Sequence, residues 1–245
     1  MSTALDLSII VPAYNEARRL PATLDALCTH LAAAQLTWEV RVVDDGSQDE
    51  TTSVVEAAAA HEPRIVLQRE PHRGKGGTVR AGMLASRAAL RFLCDADLSM
   101  PIDELGKFLA QVPAAADVAI GCRESAGAHR IGEPERRHTM GRAFNGLVRQ
   151  LLLPGFQDTQ CGFKLFSAAA ASAVFDRVTI DGWAFDVEAL FIADRLGYRV
   201  GVVPIIWHYA AESRVSPIRD AARMARDVMR IRLKAWRGDY RLQKP

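Results

Sequence analysis

Residues 7–16 read Leu7-Ser-Ile-Ile-Val-Pro-Ala-Tyr-Asn-Glu16, and residues 39–49 read Glu39-Val-Arg-Val-Val-Asp-Asp-Gly-Ser-Gln-Asp49. Each is a short apolar run that breaks into a polar segment. A continuous run such as Leu7 to Val11 suits a strand buried on both faces. Between the two, Arg18 to Ala34 spaces Leu20, Leu24, Leu27 and Leu31 as a helix does. Strand, helix and strand in that order form the unit of a parallel sheet with helices on its faces.

The alternation continues outward. Ser47-x-x-Glu50 has the form of a capping box that opens a helix to His61, with Pro63 as its stop. Arg64 to Gln68 is a third strand, Gly76 to Ala89 a helix, Arg91 to Cys94 a fourth strand, Asp103 to Val112 a helix and Val118 to Ile120 a fifth strand. The second half is less regular. Gly127 to Arg137 reads as a polar, mobile loop and Met140 to Leu153 as a helix. Phe163 to Phe166 and Arg199 to Ile206 read as strands; Ala168 to Phe175 and Phe185 to Leu196 read as helices, the latter closed by Gly197. The pattern predicts one α/β domain, Rossmann-like, with a mostly parallel central sheet. Its boundaries are set at 1–211, in two halves at 1–125 and 126–211. Residues 212–245 form a basic amphipathic C-terminal helix.

Composition narrows the classes. The 245 residues are 49% hydrophobic and 24% charged, ordinary for a globular chain and unlike a disordered or fibrous one. Net charge is +2, so no global electrostatic case for nucleic acid exists. The 26 Arg, 5 Lys and 39 Ala read as coding bias. Cys28, Cys94, Cys122 and Cys161 form no C-x-x-C pair, against a zinc ribbon or redox motif. Neither a signal peptide nor an apolar run of about 18 residues is present, and the expected location is cytoplasmic, with the inner face of the membrane as the peripheral alternative.

In an open α/β sheet, ligands bind beyond the carboxyl ends of the strands. Four polar clusters fall there: Pro12 to Glu16, Asp44 to Asp49, Arg73-Gly-Lys-Gly-Gly77 and Asp95-Ala-Asp97. Each alone has a bland reading as a turn, a helix cap or a surface pair. Together they surround one crevice. Asp95 and Asp97 are hard oxygen ligands of the kind Mg²⁺ or Mn²⁺ takes together with substrate phosphates. Lys75, Arg73 and the amides of Gly76 and Gly77 at a helix start favour phosphate. Asp44 and Asp45 can hydrogen-bond a base or ribose, and Tyr14 can flank the base. The set reads as a nucleoside diphosphate held with one divalent metal. The Walker spacing, the G-x-G-x-x-G fingerprint after strand one and the G-x-S-x-G elbow are absent.

Ile10-Val-Pro-Ala-Tyr-Asn-Glu16, Val43-Asp-Asp-Gly-Ser47 with Asp49, Asp95-Ala-Asp97 and Gly121-Cys-Arg123 resemble glycosyltransferase family 2, which has the GT-A fold. Gly74 to Met83, Asp158-Thr-Gln-Cys-Gly-Phe-Lys-Leu-Phe166 and Trp183-Ala-Phe-Asp-Val-Glu188 resemble its dolichyl-phosphate β-glucosyltransferase branch. That resemblance implies inverting, metal-dependent transfer of glucose from UDP-glucose to a polyprenyl phosphate. It implies nucleotide-sugar binding by Pro12, Tyr14, Asn15, Glu16, Asp44, Asp45, Lys75, Asp95 and Ala96, with Asp97 as the principal metal ligand beside Asp95. It also implies that Arg123 meets the diphosphate or the acceptor phosphate. Asp97, Arg123, Asp158 and Asp186 are the catalytic candidates, with Asp158 on the metal or aligning the acceptor. Asp186 or Glu188 is the base if the acceptor is a hydroxyl. Arg130, Arg136 and Arg137 are candidates for the acceptor phosphate, and Trp183 and Phe185 for the sugar pocket. Gly121-Cys-Arg123 departs from the family's usual Gly-Ser-Arg. The alternatives are another donor (GDP-mannose or UDP-N-acetylglucosamine), a saccharide acceptor, or a non-catalytic binding module.

The C-terminal segment from Glu212 holds ten basic and four acidic residues. On a helical wheel from Ile218 to Trp236, Arg219, Arg223, Arg226, Arg230 and Lys234 share one face. Ile218, Ala221, Ala222, Ala225, Val228, Met229 and Trp236 share the other, broken by Arg232. Such a helix either lies on an anionic membrane or packs its apolar face on the domain.

Overall fold

A computed structural model describes residues 5–209 and 217–240, without the side chains of 217–219. The expectations placed on residues 1–4, 212–216 and 241–245 and on the side chains of Ile218 and Arg219 lie outside the described residues.

β1 (Leu7–Ala13) is buried at every position but Pro12, as a central parallel strand must be. It pairs in parallel with β2 (Trp38–Asp44), Ala13 opposite Asp44, and with β4 (Leu90–Leu93), Ile10 opposite Leu93. With β3 (Ile65–Arg69), β5 (Val118–Cys122), β7 (Lys164–Ser167) and β8 (Val200–Pro204) they form a seven-stranded sheet ordered β3-β2-β1-β4-β7-β5-β8. Only β7 runs antiparallel to its neighbours within it. The chain order reverses between β1 and β4, which opens a crevice at their carboxyl ends.

Side chains of β1 alternate between two cores. Ile9 and Val11 pack with α1 (Leu20–Ala32) through Leu20, Leu24 and Leu27. Ile10 packs under α3 (Lys75–Ala85), α6 (Ala168–Phe175) and α7 (Phe185–Arg195). α8 (Pro217–Arg237) joins that second core through Met224, Val228 and Ile231. A Cβ on Gly82 would come within 2.6 Å of Ile10 Cγ2 and 2.7 Å of Val43 Cγ2, so only glycine lets α3 lie this close to the sheet.

Four expectations are corrected. The helix after β2, α2 (Thr51–His61), has no side-chain cap from Ser47. Ser47 Oγ instead accepts from Asn15 N at 2.8 Å, while Asp49 Oδ1 takes Thr51 N at 3.0 Å. The polar stretch from Gly127 to Arg137 is not a plain loop. It holds β6 (His129–Ile131), paired in parallel with β9 (Ile206–His208), and the start of α5 (Glu135–Leu151). The strand expected at Arg199 to Ile206 is accordingly two strands, β8 and β9. The helix expected at Asp103 to Val112 shrinks to a 3-10 turn at Ile102–Glu104 and α4 (Leu105–Leu109).

Candidate functional site

A cleft of about 1460 Å³ opens at the carboxyl ends of β1 and β4 and runs on between α5 and α8. Pro12, Tyr14, Glu16, Asp45, Lys75, Asp95, Ala96 and Asp97 line it on the sheet side; Arg123, Arg130, Arg136 and Arg137 line it further along, with Asp186 and Trp183.

At the donor end, β1 and β2 are tied by their own polar loops. Asn15, at φ +51°, accepts from Gln48 N through Oδ1 at 2.7 Å. Asp44 is buried and accepts from Ser47 N at 3.2 Å. Neither Asn15 nor Asp44 is among the side chains that line the cleft; each closes the β1–β2 loops at its edge. Asp45 does line it, and its carboxylate accepts from Arg73 N at 2.8 Å and Gly74 N at 3.0 Å. His72 stacks on Tyr14, with centroids 4.3 Å apart, and lies 2.8 Å from Asp45 Oδ2.

Gly74 starts α3 at φ +112°, where a Cβ would meet Asp181 O at 2.7 Å. Gly76 N donates to that same carbonyl at 2.7 Å, so the loop after Ile180 fixes the turn that carries Lys75. Lys75 Nζ lies 2.6 Å from Asp95 Oδ1 and 5.5 Å from the Trp183 ring. Burial alone would pull the ammonium down, but Asp95 and Asp186 outweigh it and raise it. Gly162 backs the other Asp95 oxygen so closely that a Cβ there would sit 2.1 Å from it. Asp97 is exposed at the rim, and its Oδ1 accepts from Ser99 N at 3.0 Å.

Further along, Arg123 leaves the end of β5 and is clamped by buried Asp158. Its Nε and Nη2 donate to the carboxylate at 2.7 and 2.9 Å. Burial works against the Asp158 charge, but the guanidinium outweighs it and the carboxyl drops to about 2. Asp158 lies behind Arg123 rather than on the cleft lining, and its carboxylate also accepts from Gln160 N at 3.2 Å. Arg123 and Arg130 both lie over Trp207, 5.4 and 5.6 Å from its centroid, and Arg137 lies 5.0 Å over Tyr209. Arg130 also pairs with Glu133 at 2.8 Å and Glu124 at 3.0 Å.

The two acids weighed as bases each have partners within the fold. Asp186 Oδ1 accepts from buried Lys164 Nζ at 2.6 Å; burial pushes its carboxyl up against the pull of Lys164 and Lys75. Glu188 is fully buried and accepts from Thr179 N, Ile180 N and Tyr240 OH at 2.8, 2.8 and 2.7 Å. Phe185 is buried core rather than pocket wall. His72, Gly162, Lys164, Trp207 and Tyr209 were not singled out from sequence, because their partners lie far off along the chain. Arg223, Arg226 and Arg230 of α8 also line the cleft.

Residues 8–175 match the family described as Glycosyl transferase family 2. The chain belongs to that family. It is a glycosyltransferase, and its fold is the GT-A fold. It is 34% identical over 259 residues to the human dolichyl-phosphate β-glucosyltransferase, covering 99% of this chain and 80% of that one. It is 30% identical to the same-named protein of Saccharomyces cerevisiae, over 97% of this chain and 77% of that one. Among solved structures it resembles mannosyl-3-phosphoglycerate synthase from Rubrobacter xylanophilus, with TM-score 0.69, 21% identity, and coverage of 98% of this chain and 76% of that one. It also resembles Mycobacterium tuberculosis glucosyl-3-phosphoglycerate synthase in complex with Mn²⁺, UDP and glucosyl-3-phosphoglycerate, with TM-score 0.65, 19% identity, and coverage of 96% and 80%. Among the described residues no helix is long and apolar enough to cross a membrane.

Proposed function

We propose that this family-2 glycosyltransferase moves glucose from UDP-glucose to a polyprenyl phosphate of the dolichyl type, with inversion. One observation carries the reading: a single cleft runs from the Asp95–Asp97 corner to a rank of arginines led by Arg123. The names and the near full-length coverage of the curated relatives support the glucosyl donor and the lipid phosphate acceptor. We assign residues 1–125 to the donor half and 126–211 to the acceptor half, with α8 (Pro217–Arg237) as the basic C-terminal helix. Pro12, Tyr14, Glu16, Asp45, Lys75, Asp95 and Ala96 face the nucleotide sugar, and Arg123, Arg130 and Arg137 the acceptor phosphate.

The donor set suits a divalent cation. Asp97 is an exposed hard oxygen ligand, and Asp95 beside it is held in place by Lys75 and Gly162. Among the described residues no cluster of three His, Cys, Asp or Glu side chains forms a cage. Asp97 with Asp95 would therefore share the ion with diphosphate oxygens, as Mg²⁺ and Mn²⁺ accept. When bound, the ion supplies charge neutralisation at the departing diphosphate.

A phosphate monoester is already anionic near neutral pH, with its second pKa near ~6, so the acceptor needs no base. The pairing of Asp186 with Lys164 and of Glu188 with four donors, Thr179 N and Oγ1, Ile180 N and Tyr240 OH, agrees with that. A phosphate oxygen attacks the anomeric carbon, the bond to UDP breaks on the opposite face, and its electron pair leaves on the diphosphate. Arg123, oriented by Asp158, holds the attacking phosphate, and Lys75 with Asp95 holds the donor. Incubation with labelled UDP-glucose, GDP-mannose and UDP-N-acetylglucosamine, each with and without polyprenyl phosphate, tests it. Label should enter the lipid from UDP-glucose, and transfer to a saccharide acceptor instead would sink the reading.

A further inference from the structure

The C-terminal helix has more apolar surface than its packing uses. Met224, Val228 and Ile231 face the domain and are buried. Tyr240 OH donates to Glu188 Oε1 at 2.7 Å and Lys234 Nζ lies 3.9 Å from that oxygen, so both further anchor this end of the chain to the domain. A second stripe points away: Met229, Leu233 and Trp236 recur at helical spacing and are 55%, 45% and 86% exposed. Half of the six large exposed hydrophobic side chains among the described residues lie on this stripe. The apolar face drawn from the sequence thus divides, with Val228 inward and Met229 and Trp236 outward. Exposed Arg226, Arg230 and Arg237 edge the stripe on one side and Arg232 on the other. The helix's own acids are turned away from it, Asp220 buried and Asp227 half-buried at the cleft, while Asp239 lies exposed beyond its end.

We propose that this outward stripe is a docking surface for an anionic lipid bilayer. An apolar strip bordered by arginines and ending in an exposed tryptophan matches a helix lying in the headgroup plane. Charge complementarity selects the occupant. A second copy related by a two-fold axis would press the same arginines together, and three apolar side chains fall far short of the about 20–30 residues a side that a stable interface uses. Arg223, Arg226 and Arg230 line the cleft on the next face of the same helix. Docking therefore sets the cleft mouth at the headgroup level, where the acceptor of the proposed reaction would present its phosphate. The docking itself is read without any substrate, so it stands or falls apart from that reaction.

The test is co-sedimentation of the full chain with phosphatidylglycerol–phosphatidylcholine vesicles and with phosphatidylcholine alone. The wild type should pellet with the anionic vesicles at low salt and return to the supernatant at high salt. Leu233→Ser/Trp236→Ser and Arg232→Glu/Arg237→Glu should each bind about tenfold more weakly or less. Unchanged circular dichroism and unchanged transfer to a short water-soluble polyprenyl phosphate show that both variants are folded. Absence of wild-type binding, binding that ignores lipid charge, or equal binding of wild type and variants would overturn the proposal. So would sedimentation of the wild type as a dimer that Leu233→Ser/Trp236→Ser dissociates.

Discussion

Arg123 and Asp158, 35 residues apart, share a two-pronged contact of 2.7 and 2.9 Å, with the Arg123 backbone N–H adding a third bond at 3.1 Å. The pair joins the end of β5 to the segment before β7 and turns one arginine into the cleft. A flexible guanidinium becomes a fixed one, as bidentate pairing allows.

The same pair predicts acid sensitivity. The folded Asp158 carboxyl lies at about 2, below its ordinary 3.8. A depressed acid stabilises the fold above its unfolded value, and that contribution is lost as pH falls through the folded one. It amounts to roughly 2 kcal/mol. Unfolding followed by circular dichroism should show stability dropping between those two values. Asp158→Asn should remove this part of the drop and, by leaving Arg123 unpaired, cost about 3 kcal/mol near neutral pH. Unaltered stability and transfer in Asp158→Asn would contradict the clamp.

Gly162 predicts a loss of donor binding without a charge change. The 2.1 Å approach of its Cβ position to Asp95 means that Gly162→Ala must displace that carboxylate. UDP affinity by calorimetry should fall by about tenfold or more, the loss of one charge-assisted contact. Gly146→Ala, in α5 with nothing within 4 Å, is the control. It should raise stability by about 0.5–1 kcal/mol and leave affinity unchanged.

The buried Lys164–Asp186 pair predicts a pH-dependent defect. Lys164 Nζ donates to Asp186 Oδ1 and to Cys161 O. Lys164→Met strands a buried carboxylate, a loss of about 3–5 kcal/mol. Asp186 already has its carboxyl raised by burial. A raised acid favours the fold at low pH and loses that advantage as pH rises, so the Lys164→Met defect should shrink on acidification. Denaturant melts at several pH values read this directly, and a defect independent of pH would contradict it.

Much of this was legible in the chain. β1 and β2 read as strands because strands buried on both faces are continuous apolar runs, and the polar residues after them had to gather where the sheet order reverses. The misreadings share a cause. Ser47 looks like a local cap, but its hydroxyl serves Asn15, 32 residues away. β6 is too short to announce itself and exists through its pairing with β9. That Asp158 pairs with Arg123 and Asp186 with Lys164 is set by the fold, with no local pattern to announce it. The wheel groups Val228 with Met229 and Trp236, although consecutive helical residues lie ~100° apart; only the packing shows Val228 turned to the core and the other two to solvent.

Asp97 predicts metal dependence without structural cost. Its carboxylate is exposed and accepts from Ser99 N at the rim, so Asp97→Asn should keep the melting temperature. Transfer should fall by about a hundredfold or more, the scale of losing a transition-state charge contact. Chelator should silence the wild type and Mn²⁺ or Mg²⁺ restore it. Full activity of Asp97→Asn in chelator would remove the metal from the account.

The most direct measurement is the fate of radiolabel from UDP-glucose when the enzyme meets a polyprenyl phosphate. The account predicts an organic-extractable glucosyl phospholipid, formed in proportion to UDP released and absent with Asp97→Asn. Release of UDP with no label in the lipid phase, or label delivered to a saccharide in its place, would contradict it.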